Sequence, residues 1–350
     1  MKIMKKHFHA VVQIVTSVPP IIIGTVRSIT LVPQAVLSIQ LLPCWSFFLH
    51  TIVQLMRAYI SLHVCEINKL RLITDFPLMP TIPRNVAYWQ EMLNGVLCEI
   101  IVPRKDSTHD IIQTLEKGAL GISLYLHGGG FALCNPATHR SITHYLSEQS
   151  NCVVVVPDYR RLPEHTLSDA LSDCQSVFDY LREFNVKISL VGDSAGGALC
   201  VMLAEQLRRG IAAVALISPW CDFTDNFDDT DEKIGLHDYL SPYALQVIGR
   251  IVVEGMGGVK RTPLQIVSEG RYPEEIPTLV QVGGAETLYK QIMRFTKFVK
   301  ICEIRQYGNM IHVPQFFALM HEEAHRAAHD LCEFNRKQLV CNIMDDKLVL

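Results

Sequence analysis

Charge is scarce in this chain of 350 residues. Asp, Glu, Lys and Arg supply 19% of it against 49% hydrophobic residues, and the mean hydropathy is +0.20. Such a balance is too apolar for an ordinary cytosolic enzyme, so part of the chain is expected to meet lipid. The 32 basic and 35 acidic side chains leave a net charge of −3, and no Lys/Arg cluster alternates with aromatics. Nucleic acid is thereby excluded as a partner. None of the 11 cysteines forms a Cys-x-x-Cys pair, which excludes a zinc ribbon and a thioredoxin-type redox site. Buried thiols are the expected reading, with a disulfide among them left open. Internal repeats and low-complexity tracts are lacking too, so solenoid architectures drop out.

The missing charge is concentrated at the front. From Ala10 to Met56 the only Asp, Glu, Lys or Arg is Arg27, whereas Lys2, Lys5 and Lys6 precede the run. A bilayer span needs about 20 apolar residues, and a cleaved signal peptide has an apolar core of roughly 7–15. This run exceeds both, so residues 1–74 are expected to hold an uncleaved membrane anchor. Pro19, Pro20, Pro33 and Pro43 interrupt any single straight helix. One span, a re-entrant hairpin and an in-plane helix pair stay open, as does a buried helical layer over the rest of the chain. The leading lysines favour a cytoplasmic N-terminus, which for one span puts the rest of the chain in the lumen. A hairpin would return it to the cytosol beside Arg57, and no Asn-x-Ser/Thr sequon marks lumenal exposure.

Behind a polar linker at 75–84 the pattern changes. "GVLCEIIVP", "GISLYLHGG", "CVVVVPDY", "KISLVGDS", "AAVALIS" and "PTLVQVGG" are near-continuous apolar runs of strand length. Runs of this kind belong to parallel strands covered on both faces. Between them, Leu167, Leu171, Cys174, Phe178 and Leu181 recur at helical spacing. Residues 75–350 are therefore expected to form one doubly wound, mostly parallel α/β domain. Residues 222–275 break the alternation and are the candidate helical cap.

Two glycine clusters carry the chemistry. Gly192-Asp193-Ser194-Ala195-Gly196 is a G-x-S-x-G sequence, which chance supplies in roughly one chain in ten of this length. Its setting decides: it follows the strand "KISLV" and opens the helical "GGALCVMLAEQLRR", as a nucleophile elbow requires. The bland alternative is a tight turn with a capping serine. An activated serine needs a base, and its tetrahedral intermediate needs donors for an oxyanion. His127-Gly128-Gly129-Gly130 answers the second need, because bare backbone can turn several N–H groups toward one point. The expected oxyanion donors are Gly128, Gly129, Gly130 and Ala195.

Taken together, "HGGGF", "DYRRLPEH", "GDSAGG" and "SPW" resemble the hormone-sensitive-lipase branch of the α/β-hydrolase family, in the correct order from Gly121 to Val340. With an apolar front the layout is similar to fungal steryl acetyl hydrolases and to arylacetamide deacetylases. The resemblance implies an α/β-hydrolase fold and a triad in the order Ser, acid, His. Ser194 is then the nucleophile, Glu286 of "LVQVGGAETLY" the acid and His312 of "IRQYGNMIHVPQFF" the base. Asp222 is the rival acid. His127, Asp193 and Asp158 are expected to support the site, and a structural role is implied for His165. The chain departs from the family at Lys290 and Gln291, where an acidic pair is usual, at Val313, where glycine is usual, and in the shortened "RLPEH". The function implied is a membrane-anchored serine carboxylesterase acting on a lipophilic ester such as a sterol acetate, without cofactor or metal. Its expected place is the endoplasmic reticulum membrane with the catalytic domain lumenal.

Two other readings compete. A hydrolase-fold receptor that binds a ligand without chemistry would lose the histidine, which this chain keeps. His321-Glu322-Glu323-Ala324-His325 matches the H-E-x-x-H zinc-protease motif, with His329 continuing the spacing. Both histidines lie at the edge of a core stripe (Phe317, Met320, Ala324, Ala327, Leu331, Phe334), and the downstream ligand of that motif is missing. A flanking helix face is expected there. Alcohol specificity and oligomeric state are left open.

Overall fold

Runs of Val, Ile and Leu with no polar face can only be strands if helices cover both sides of them. The computed structural model describes residues 42, 44–77, 85–103, 109–225, 227 and 235–340, and its single sheet meets that condition. The strands are β1 (Val86–Leu93), β2 (Val96–Pro103), β3 (Ile122–Leu126), β4 (Val153–Pro157), β5 (Ile188–Asp193), β6 (Ala213–Ile217), β7 (Thr278–Gly283) and β8 (Cys302–Tyr307). Their order across the sheet is β1-β2-β4-β3-β5-β6-β7-β8. β2 is antiparallel to β1 and β4, and the remaining pairs are parallel. Every residue of β3 to β7 is buried, whereas the edge strands β1 and β8 are partly exposed. β1 was not foreseen, although Asn94-Gly95 with two positive φ angles is the turn that joins a hairpin.

The helices are α1 (Phe47–His63), α2 (Ile67–Thr74), α3 (Ile111–Glu116), α4 (Arg140–Ser150), α5 (Leu167–Leu181), α6 (Ser194–Leu207), α7 (Pro242–Glu254), α8 (Pro263–Ser268), α9 (Tyr289–Thr296) and α10 (Glu322–Val340). Strand parity sorts the core. Val154, Val156 and Val191 meet Ile142 and Leu146 of α4 and Leu331 and Phe334 of α10. Val153, Val155 and Leu190 face the other way, toward Leu171 and Phe178 of α5 and Leu199 of α6. Each such side chain contributes roughly 1.5–3 kcal/mol on full burial. Helix α5 starts where the sequence stops the chain from continuing as loop. The Thr166 hydroxyl accepts the Asp169 N–H and the Asp169 carboxylate returns the bond, a capping box.

The front of the described chain belongs to this same body. Leu49 and Val53 of α1 are fully buried in a cluster with Tyr239, Met310 and Phe317, and Val64, Ile67 and Leu70 join the main core. Arg71 of α2 donates to the Ala132 and Leu162 carbonyls and forks onto Glu164. The expected division at residue 75 thus falls inside a packed unit, because α1 and α2 bury apolar faces the sheet domain would otherwise expose. The expected anchor lies mostly outside the described residues. Its described end, in α1, is held against protein on one face. Among the described residues no helix is long and apolar enough to cross a membrane. Of the candidate cap at 222–275, α7 covers the cavity, whereas Ile266 and Val267 of α8 pack into the main core.

Candidate active site

Ser194 sits where β5 ends and α6 begins, with φ at +51°. A non-glycine residue held there stores about 1–3 kcal/mol of strain. The turn closes only because its neighbours are bare. A Cβ on Gly192 would lie 2.6 Å from the Gly196 carbonyl oxygen, and one on Gly196 would lie 1.9 Å from that of Leu126. The first N–H groups of α6, including that of Ala195, have no partner within the helix and gather at its positive end.

The three glycines after His127 serve three different ends. A Cβ on Gly128 would meet Asp193 Oδ2 at 2.2 Å, one on Gly129 the Leu133 carbonyl at 2.2 Å, and one on Gly130 the Ile248 side chain at 2.9 Å. Gly129 and Gly130 also take φ of 108° and 61°. Gly128 differs from expectation: its N–H donates to Asp193 Oδ1 at 3.0 Å. It is thus an anchor of the loop, which leaves Gly129, Gly130 and Ala195 as the candidate donors. Asp193 is the loop's fixed point, since the Tyr125 hydroxyl donates to it at 2.8 Å and His139 Nε2 lies 3.3 Å away. Burial pushes the Asp193 carboxyl up, but His139 and Tyr125 outweigh it and hold the group below its ordinary range. His127 stacks on Tyr159 and donates from Nδ1 to the Gly128 carbonyl at 2.8 Å. Burial drops its pKa to about 3, so it is a neutral spacer and not a proton carrier.

The expected acid and base come from the far end of the sheet. Glu286, on the turn after β7, and His312, beyond β8, are both buried. His312 Nδ1 lies 3.5 Å from Glu286 Oε2, an ion-pair contact rather than a closed hydrogen bond. The Ser218 hydroxyl donates to the same Oε2 at 2.6 Å and accepts the Val313 N–H at 3.0 Å, tying the acid to the histidine loop. Val313 keeps φ at +47°, the conformation for which glycine is usual at this place. Burial alone would lower the His312 pKa, yet Glu286, Asp238 and Asp193 together raise it above 6.5. Burial raises Glu286, opposed by His312 and Ser218.

Ser194, His312, Gly129 and Gly130 line one cavity of about 160 Å³. Its walls are almost wholly apolar: Leu133, Trp220, Tyr239, Leu245, Ile248 and Phe316, with Met56 and Ile60 from α1. The profile of the alpha/beta hydrolase fold matches residues 123–316, more than half of the chain. The chain belongs to the α/β-hydrolase family. It is 30% identical over 237 residues to the carboxylesterase/phospholipase LipF of Mycobacterium tuberculosis, covering 63% of this chain and 62% of that protein. An acetyl-hydrolase of Streptomyces hygroscopicus is 31% identical over 173 residues, 47% of this chain and 57% of its own length. The matched part thus spans about three fifths of these curated relatives. A crystal structure of an esterase from the bacterial hormone-sensitive lipase family shares the fold, with a TM-score of 0.67 at 24% identity over 82% of this chain and 98% of that one.

Within this α/β hydrolase several expected residues stand apart from the cavity. Asp222 uses its carboxylate to cap Thr224, so Glu286 is the carboxylate that reaches His312. Asp158 makes no side-chain hydrogen bond among the described residues. It lies near Arg161 and Asp75, which ion-pair with each other at the end of α2, and it does not line the cavity. The H-E-x-x-H geometry does not form. His321 precedes α10 and accepts the Glu323 N–H at its Nδ1, whereas His325 packs on Tyr145. Among the described residues the one group spaced to hold a metal is His329, Asp330 and Glu333, and Asp330 is engaged by Arg305 and Tyr307. The ten described cysteines are free thiols, and burial pushes Cys152, for example, up to about 12.

Sequence reasoning missed Asp238. It is fully buried, accepts the Thr287 N–H at 2.8 Å beside Glu286, and is followed by Tyr239, whose ring stands edge-on to His312 at 5.8 Å. Arg57 of α1 pins its loop by donating to the Gly235 and Asp238 carbonyls, each at 2.6 Å. Nothing in the spacing of this loop marks it. Ser218, by contrast, stood in the quoted "SPW".

Proposed function

We propose that the protein is a carboxylic-ester hydrolase in which Ser194 is the nucleophile, His312 the general base and Glu286 its acid partner. The observation that carries the proposal is the convergence of Ser194, His312 and the Gly129–Gly130 backbone on one apolar cavity. Ser194 Oγ attacks the ester carbonyl carbon as its proton passes to His312 Nε2. The carbonyl oxygen becomes an oxyanion facing the N–H groups of Gly129, Gly130 and Ala195. The intermediate collapses by breaking the bond to the alcohol oxygen, which takes the proton from His312. Water then attacks the acyl-serine with His312 again as base, releasing the acid and restoring Ser194.

The substrate proposed is lipophilic with a compact acyl group, an acetylated sterol among the options. In support, the cavity is apolar and smaller than the roughly 300–1,000 Å³ of sites that enclose a whole drug-sized ligand. It thus suits the acyl side, with the alcohol leaving past Met56, Ile60 and Phe76. Membrane anchoring by the apolar run from Ala10, with the catalytic domain in the lumen of the endoplasmic reticulum, completes the proposal. It is supported by that run and its leading lysines. A fluorophosphonate probe tests the chemistry. The wild type should take one label per chain and Ser194→Ala none, and a labelled Ser194→Ala protein refutes the serine mechanism.

A further inference from the structure

Helix α1 is apolar on both of its faces. Inward it buries Leu49 and Val53 and lends Met56 and Ile60 to the cavity wall. Outward it shows Phe47 at 62%, Phe48 at 38% and Leu62 at 72% exposure, with Ala58 between them. Its one charged side chain, Arg57, is turned inward onto the carbonyls of Gly235 and Asp238, so the outer face carries no Asp, Glu, Lys or Arg. Surface helices normally place their charge on that face. The patch continues beyond α1. The Ser61 and Ser241 hydroxyls meet at 2.9 Å and the Tyr243 hydroxyl lies 3.8 Å from Cys65, which sets exposed Tyr243 beside Leu62. Past Cys65 the surface becomes charged, since exposed Glu66 and Lys69 pair with each other at the start of α2. Phe76 is both exposed and part of the cavity lining.

We propose that this outer face of α1, with Tyr243, rests on the hydrocarbon boundary of a bilayer, so that the cavity receives its ester from the lipid. The occupant follows from what precedes the helix. Between Ala10 and Phe47 the chain carries one charged residue, Arg27, and it delivers its apolar run directly to the start of α1. A chain anchored by that run holds α1 at the membrane surface, where an apolar helix face is buried in the headgroup–acyl boundary. The lining residues Met56 and Ile60 then stand one helix thickness from lipid. The entry route rests on the esterase reading, whereas the lipid contact rests on the proposed anchor.

The test uses the full chain reconstituted into phosphatidylcholine vesicles. Cys44 and Cys65 flank α1 and are the exposed thiols among the described residues. An environment-sensitive maleimide dye placed there should be quenched by doxyl-labelled lipid and sheltered from aqueous iodide, and Cys65→Ser should remove the signal of its end. Quenching by iodide instead overturns the proposal. Shelter from both quenchers also overturns it, because protein then covers the face, either residues 1–41 or a second copy. In the same vesicles, Phe48→Glu with Leu62→Glu should slow hydrolysis of a membrane-embedded ester about tenfold, leaving a water-soluble short-chain ester unchanged. Equal rates on the embedded ester for variant and wild type refute the entry route. A wild type inactive on the soluble ester would refute the esterase reading, and the dye measurements would still decide the surface.

Discussion

The two halves of the site are held in different ways. Around Ser194 the constraints are mainly those of consecutive backbone, with the Asp193 carboxylate as a side-chain tie: a positive φ, glycines that admit no Cβ, and unpaired N–H groups at a helix start. Around His312 they are side chains from distant segments. Ser218 comes from the end of β6, Asp238 and Tyr239 from the loop before α7, and Arg57 from α1. The nucleophile half is local and brittle. The acid–base half is assembled and adjustable, so its variants should move rates and pH dependence before they abolish the fold.

The largest effect should come from the brittle half. Ser194→Ala is expected to lower kcat by on the order of 10⁴ or more with an unchanged melting temperature, measured by turnover alongside thermal unfolding. Its neighbour should behave in the opposite way. Gly196→Ala drives a Cβ into the Leu126 carbonyl and should cost about 1–3 kcal/mol of stability or more. A stable, active Gly196→Ala protein would remove the contrast between the halves.

In the assembled half, Ser218→Ala deletes a hydrogen bond to a buried carboxylate, worth about 1.5–3 kcal/mol. A fall in kcat of about ten- to a hundredfold with little change in KM is expected from steady-state kinetics. Asp238→Asn should act more mildly and differently. Its negative charge helps to keep the His312 pKa above 6.5. The proposed base is the neutral imidazole, so wild-type activity should be lost as pH falls through that raised value. Removing the charge lowers the pKa and should move the acid limb of kcat/KM to lower pH, with kcat down by up to about tenfold. A variant whose profile overlays the wild type would confine Asp238 to a purely structural part.

Legibility followed the same division. Gly192, Ser194 and Gly196 could be read because backbone sterics are written into consecutive residues, and the buried strands because two-sided burial leaves no polar position. Glu286 could be singled out from Asp222 only through the family resemblance; the structure adds that Asp222 is occupied by Thr224. Asp238 was illegible, since its loop is held by Arg57, some 180 residues away in the chain. Gly128 was assigned as a donor because nothing in "HGGG" discloses that Asp193 consumes its N–H. The packing of α1 and α2 onto the sheet was illegible because hydropathy does not distinguish a helix face buried against protein from one that meets lipid.

The smallest effects should appear where the zinc motif was weighed. Activity should be unchanged by EDTA. His321→Ala with His325→Ala should alter turnover less than about threefold while costing about 1 kcal/mol of stability, through loss of the bond at the start of α10. Stoichiometric zinc that disappears in this double variant would instead restore a metal site.

The central claim is that Glu286 and His312 act as one pair on Ser194, and the pH dependence of kcat/KM for Glu286→Gln beside Asp222→Asn tests it most directly. Glu286→Gln should lose up to about 10⁴ in rate, and the remaining activity should have its acid limb shifted to lower pH, while Asp222→Asn follows the wild type. A crippled Asp222→Asn beside a nearly normal Glu286→Gln would contradict the account.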